Sequence, residues 1–187
     1  MPILLDHQLR EQISYKVAEF PICYYHDELV ELPNWAGPLH WHPDFEIATA
    51  ECGVLDCQVG KQHIILEAGD SIFINGNMLH GIKQLSGDVP DPMPNIVFHG
   101  TLIAPETSII YQKYIRPIAQ CDLLPFIVFR QNDLSHGEIN CIIKNIYKQM
   151  NEKMECYELA VQRNISHIFE FISYNFSQLP KSEETRI

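Results

Sequence analysis

Apolar residues tend to recur at every second position up to about residue 130 and at about every 3.6 positions beyond it. This one change of period limits the fold more than any other feature. A period of two lays one face of a strand on a core, and a period of 3.6 lays one stripe of a helix on it. From Tyr15 to about Phe129, short runs rich in Val, Ile, Phe and Tyr are divided by Gly, Pro, Asn and Asp at intervals suited to an antiparallel sandwich or barrel. The spacing predicts strands over 15–25, 45–51, 54–59, 62–66, 70–75, 79–84, 95–103 and 126–129. Tight hairpins are expected at Cys52-Gly53 and at Gly60-Lys61. The segment from Ser86 to Pro94 holds three prolines and cannot continue a central strand, so it is expected along an edge or over the surface as a flap.

Past Arg130, Ser135-His136-Gly137-Glu138 has the S-x-x-E form of a capping box and predicts a helix start. Ile139, Ile142, Ile143, Ile146, Tyr147, Met150 and Met154 form its apolar stripe. The polar stretch 151–156 should break it. A second helix then carries Val161, Ile165, Ile168, Phe169, Ile172 and Phe176 on one face and ends before Pro180. Phe171 and Tyr174 lie off that stripe, and a second copy of the chain could cover them. Residues 1–14 read as an arm or a frayed helix ahead of the barrel.

With 187 residues and 46% hydrophobic content, the chain is expected to form one domain with appendages. The 13 basic against 24 acidic residues leave a formal charge of -11, which repels phosphate backbones, so this segment is not expected to grip nucleic acid. Its apolar runs fall far short of the ~20 residues a membrane span needs, and a cytoplasmic location is expected. The six cysteines show no CxxC pair and read as idle thiols, although Cys52 and Cys57 could face each other across the first hairpin.

The sharpest local pattern is Gly37-Pro-Leu-His40-Trp-His42-Pro-Asp-Phe-Glu46, with Gly53 following. On a strand, His40 and His42 point to one face with Cα atoms ~6.5 Å apart, close enough to share a cation or a polar ligand. Glu46 would lie another ~13 Å along a straight strand. Pro43-Asp44 supplies a bend that could bring it back. A second segment, Gly69 to His80, reads as strand, tight turn and strand, with a histidine just past the turn. Three imidazoles and a carboxylate suit a divalent transition metal (Zn, Fe, Mn or Ni) with positions left for water or a bound molecule. Without a metal, the same four polar groups would hydrogen-bond an effector or one another. His99 ends a strand and could reach the pocket as a further ligand-binding residue. His63, His136 and His167 read as ordinary solvent-facing or core-edge histidines, and Trp35 and Trp41 as candidates to cover the cavity mouth.

Together the two segments resemble the paired motifs of the cupin superfamily. The H-x-H-x3-E-x6-G part stands in full, whereas Gly37 lies only three residues before His40, Asn75 and Asn77 replace the second motif's Pro and Gly, and Gln84 stands at its Asn. A closer resemblance, over nearly the whole chain, is to the N-terminal sensor domain of AraC-type transcription regulators. It is carried by Leu39–Ile47, Leu66–Asn75, Asn95–His99 and Tyr111–Pro117, in that order and followed by two helices. The resemblance implies a mainly β fold, a cupin-type double-stranded β-helix (jelly-roll) barrel with two C-terminal α-helices. It divides the chain into an arm (1–14), a barrel sensor domain (15–130), a two-helix dimerisation segment (135–178) and a linker (179–187) toward a DNA-binding domain absent from this chain. It also implies a small-molecule effector, a homodimer through the helices, and no catalysis. The alternative is a stand-alone metal-dependent cupin enzyme, an oxygenase or isomerase, using His40, His42, Glu46 and His80.

Overall fold

The computed structural model describes residues 3–26, 29, 32–86 and 92–177. Among the described residues the alternating segments become nine strands in two antiparallel sheets. They are β1 (Ile22–Tyr25), β2 (Ala36–His40), β3 (Phe45–Thr49), β4 (Val54–Val59), β5 (Gln62–Leu66), β6 (Ser71–Ile74), β7 (His80–Ser86), β8 (Asn95–Phe98) and β9 (Phe126–Phe129). One sheet runs β1-β8-β3-β6-β9 and the other β2-β7-β4-β5. Facing each other, they make the jelly-roll of a cupin fold, mainly β, with helices at its C-terminal end.

The hairpin at Gly60-Lys61 forms, with Val59 opposite Gln62. The one expected at Cys52-Gly53 does not. β3 is already paired by β6 on one edge and β8 on the other, so it has no edge left for β4, and the turn instead carries the chain to the other sheet. Cys52 is exposed and Cys57 buried, and no disulfide joins them. Two expected strands are shorter: only 22–25 of the first is extended, and the run from Asn95 turns into a 3-10 helix at Gly100–Leu102. β2 is an additional strand. Of the proline-rich loop, residues 87–91 lie outside the described residues, as does the expected linker 179–187; the Pro94 carbonyl accepts from Thr49 N–H.

β3 and β6 are buried on both faces and so support two cores. Between the sheets, Ala48, Leu55, Cys57, Leu66, Ile72 and Ile74 form an aliphatic core. On the outer face of the five-stranded sheet, Phe45, Phe73 and Phe98 surround Phe169, with ring centroids 5.0, 5.9 and 6.0 Å from it. Phe169 belongs to α3 (Tyr157–Ser177), which follows α1 (Arg116–Ala119), a continuation of a π-helical turn at Tyr111–Ile115, and α2 (Gly137–Glu152). Most of the apolar stripes of α2 and α3 are buried on the chain's own barrel. Phe171 joins them, packing its ring edge against Phe129 and His136. Met154 does not, because Lys153 turns left-handed at φ 49° and ends α2 one residue earlier. The capping residue is Asp133 rather than Ser135: its carboxylate accepts from the Ser135 N–H and hydroxyl, starting a 3-10 turn that leads into α2.

A hydroxyl chain ties α2 to the barrel. The Tyr147 hydroxyl reaches the Ile47 carbonyl at 3.2 Å and Thr49 Oγ1 at 3.0 Å, and Thr49 is 2.8 Å from Ser71.

A candidate metal centre at the junction of the two sheets

Two separate stretches bring the candidate ligands together. His40 ends β2 and His80 begins β7, directly opposite each other in the ladder. A register shift between Gly37 and His40 lets the strand turn that imidazole inward. His42 sits in the bend between β2 and β3, and Glu46 lies on β3 of the other sheet. The Pro43-Asp44 bend therefore places the carboxylate beside the histidines instead of a strand length away. His40, His42, Glu46 and His80 are all buried, and each offers a ligand atom within 4.8 Å of the others.

The turn between β6 and β7 is braced against that bend. Asn77 N–H donates to the His42 carbonyl at 2.7 Å, and a side chain on Gly76 would run into the Pro43 carbonyl oxygen. Asn77, standing at the motif's glycine, takes the left-handed φ of 63° that asparagine tolerates better than most residues. Asn75, standing at the motif's proline, has a different task. Its buried amide donates to the carbonyls of Ile118, Cys121 and Leu124, closing the C-terminal end of α1. The departures from the motif thus keep its geometry and add a clamp.

The protons of the three imidazoles are fixed by their neighbours. Nδ1 of His40 lies 2.8 Å from the Pro38 carbonyl, that of His42 3.0 Å from the Asp44 carbonyl, and that of His80 2.8 Å from the Met78 carbonyl. A carbonyl only accepts, so each Nδ1 carries a hydrogen, and a ring that is neutral then turns its Nε2 lone pair inward. Glu46 Oε2 stands 3.3 Å from His42 Nε2 and 3.0 Å from His80 Nε2. Lone pairs facing a carboxylate at that distance repel unless positive charge lies between them, either a second ring proton or a cation.

Burial, followed by the charge of His80, lowers His40 to about 4 and keeps it neutral at neutral pH. Burial also presses His42 downward, but its hydrogen bond with Glu46 and that group's charge carry it above the ordinary histidine value. For Glu46 burial acts upward, and the hydrogen bonds and charges of His42 and His80 outweigh it, holding the carboxyl well below the usual range. The site is a fixed anion among nitrogen donors. Three imidazole nitrogens and one carboxylate, all within 4.8 Å of one another, are a donor set that would fit a first-row divalent ion.

The enclosed space beside these residues is about 40 Å³, lined on its apolar side by Leu29, Leu32, Ile82 and Met93. His99 does not line it. Its Nδ1 accepts from Thr101 N–H and pairs with the Thr101 hydroxyl, capping the Gly100–Leu102 turn. Neither tryptophan lines it either: the Trp41 indole donates to the Gln8 carbonyl under the Arg10 guanidinium. One lining carboxylate, Glu11, comes from the N-terminal arm, and no spacing in the sequence pointed to it. Among the described residues no helix is long and apolar enough to cross a membrane.

Residues 29–90 match the family described as Cupin domain. Over 185 residues the chain is 23% identical to the uncharacterized HTH-type transcriptional regulator YdeC of Bacillus subtilis, covering 98% of this chain and 62% of that protein. Among solved structures, ToxT from Vibrio cholerae superposes with a TM-score of 0.56 at 7% identity, over 88% of this chain and 60% of that one. The unsaturated fatty acid-bound form of ToxT gives 0.52 at 11% identity, over 93% and 61%. The chain thus spans about three fifths of the length of the proteins it matches. Residues 29–90 are similar to a cupin domain, and over nearly its whole length the chain is similar to part of an HTH-type transcriptional regulator.

Proposed function

We propose that this chain is the effector-sensing part of a cytoplasmic, AraC-type transcription regulator, and that His40, His42, Glu46 and His80 hold a divalent first-row transition metal at the centre of its effector site. One observation carries the site assignment: three buried imidazoles have their Nδ1 atoms committed to main-chain carbonyls, and each offers a ligand atom within 4.8 Å of the others and of the buried Glu46 carboxylate. Carbonyl partners of this kind fix ring orientation and tautomer in metal-binding histidines. When bound, the ion would supply Lewis-acid attraction for an oxygen or nitrogen donor of the effector. The chain's own residues do the rest. The carbonyls of Pro38, Asp44 and Met78 orient the rings, Glu46 neutralises charge, and the Leu29, Leu32 and Met93 side excludes water.

A space of about 40 Å³ admits a few water-sized groups, whereas drug-sized ligands occupy pockets of roughly 300–1,000 Å³. The effector is therefore compact and polar. ToxT has been solved with an unsaturated fatty acid bound; a long apolar chain would enter here only by displacing wall residues. Binding rather than turnover is supported by the likeness to a regulator over 98% of the chain. DNA reading falls to the remainder of such regulators, consistent with the charge of -11 here.

Self-association is assigned to the helical side. The stripes of α2 and α3 are absorbed by the barrel, but Ile109, Ile110, Tyr114 and Tyr174 remain exposed around a groove between the α1 region and α3. Tyr174→Glu is expected to shift a dimer to monomer in sedimentation velocity.

Elemental analysis of the purified chain, followed by equilibrium dialysis against Zn²⁺, Mn²⁺, Ni²⁺ and Fe²⁺, tests the metal site. Stoichiometric uptake that His42→Ala removes is expected. Failure of every ion to bind the unaltered chain would sink the reading.

A further inference from the structure

The four-residue cluster leaves one side of its cavity to the N-terminal arm. Leu5 and Glu11 bridge across a tight loop, and Arg10 bridges Trp41 in parallel. The Glu11 N–H donates to the Trp41 carbonyl at 2.9 Å, and the Trp41 N–H to the Leu9 carbonyl at 3.0 Å. Further along, the Tyr15 hydroxyl donates to Asp44 at 2.6 Å. Trp41 lies between His40 and His42, so the arm is docked on the backbone that carries two of the candidate ligands.

From that position the Glu11 side chain enters the cavity. Its Oε2 lies 3.4 Å from Nε2 of His40, the nitrogen left free for a cation, and the carboxylate side chain is only 14% exposed. It shares the cavity wall with His40, Glu46 and His80. Charge balance gives the placement a meaning. A divalent cation held by three neutral imidazoles and Glu46 alone keeps an uncompensated positive charge in a buried site, which is costly. A second carboxylate removes it. Without the cation, Glu11 and Glu46 are two acids facing one small cavity, and their repulsion opposes docking of the arm.

We propose that Glu11 is a further ligand of the metal site, supplied by the N-terminal arm, so that cation binding and arm docking are coupled. The inference rests on the metal-site reading above and adds to it a residue and a consequence. Linkage makes the coupling reciprocal: an arm that strengthens cation binding is itself held more tightly when the cation is present.

Trp35 and Trp41 are the chain's two tryptophans, so a Trp35→Phe background leaves Trp41 as the reporter of the arm. In that background, Co²⁺ titration followed by visible absorption reads the coordination shell, and Zn²⁺ titration followed by Trp41 emission reads the arm. Glu11→Gln is expected to weaken Co²⁺ binding by about tenfold or more, to alter the absorption bands and to abolish the Trp41 response, with the far-ultraviolet circular dichroism unchanged. Removal of residues 1–12 should reproduce the same loss of affinity. Co²⁺ affinity and bands in Glu11→Gln equal to those of the parent would overturn the proposal while leaving the four-residue site standing. A parent that takes up no Co²⁺ would remove the site reading and this inference with it.

Discussion

On the helix-facing side of the five-stranded sheet, Phe45, Ile47, Phe73 and Phe98 meet α3 in a cluster of overlapping rings. On the barrel side the same strands present Glu46, Ala48, Ile72 and Ile74. The first face is held by burial of large surfaces, where several neighbours share each contact. The second combines small aliphatic packing with a carboxylate whose position depends on a bend, a braced turn and three ring tautomers. Stability is therefore concentrated on one side of the sheet and specificity on the other, so substitutions on the two sides should fail in different ways.

The largest effect is expected at Phe169→Ala, which empties the space between three phenylalanines and should cost about 3–5 kcal/mol in urea unfolding while leaving metal uptake per folded molecule unchanged. Next, on the barrel side, Zn²⁺ at a hundredfold excess over its dissociation constant should stabilise the chain by about 2.7 kcal/mol. Glu46→Gln should lose most of that gain, as read by thermal melting with and without a chelator. Asn75→Ala removes the amide that bonds the end of α1 and the loop after it, and should cost about 1–3 kcal/mol, with faster amide exchange over residues 116–124. Smallest is Asp133→Ala, about 1 kcal/mol, through loss of the cap before α2. A comparable loss of stability and of metal uptake in Phe169→Ala would erase the distinction between the two faces.

Much of the barrel could be read from the chain because alternation and turn residues are local signals. The H-x-H-x3-E spacing with His80 brought out the ligand set for the same reason: strand parity and one proline bend settle where those side chains point. What escaped the reading depended on distant partners. Cys52-Gly53 has turn chemistry, but whether a turn closes a hairpin or crosses between sheets depends on which edges of β3 are already taken. The helical stretch before Ala119 was hidden by Pro117 and by a π-helical turn that disrupts the 3.6 period. His99 stands at a strand end like a ligand, yet Thr101 two residues on supplies a local partner and turns it into a cap. Glu11 had no signal at all, since its approach to His40 is set by pairing across some thirty residues of chain.

The hydroxyl chain from Tyr147 has a mechanical consequence. Tyr147 holds the carbonyl of Ile47, the residue immediately after Glu46, and Phe45 on the other side of Glu46 bears the weight of α3. An occupant that tugs the Glu46 carboxylate thus pulls on a strand whose adjoining residues are fastened to both long helices. A shift of Glu46 would therefore be felt first at the feet of both helices, one residue away on β3.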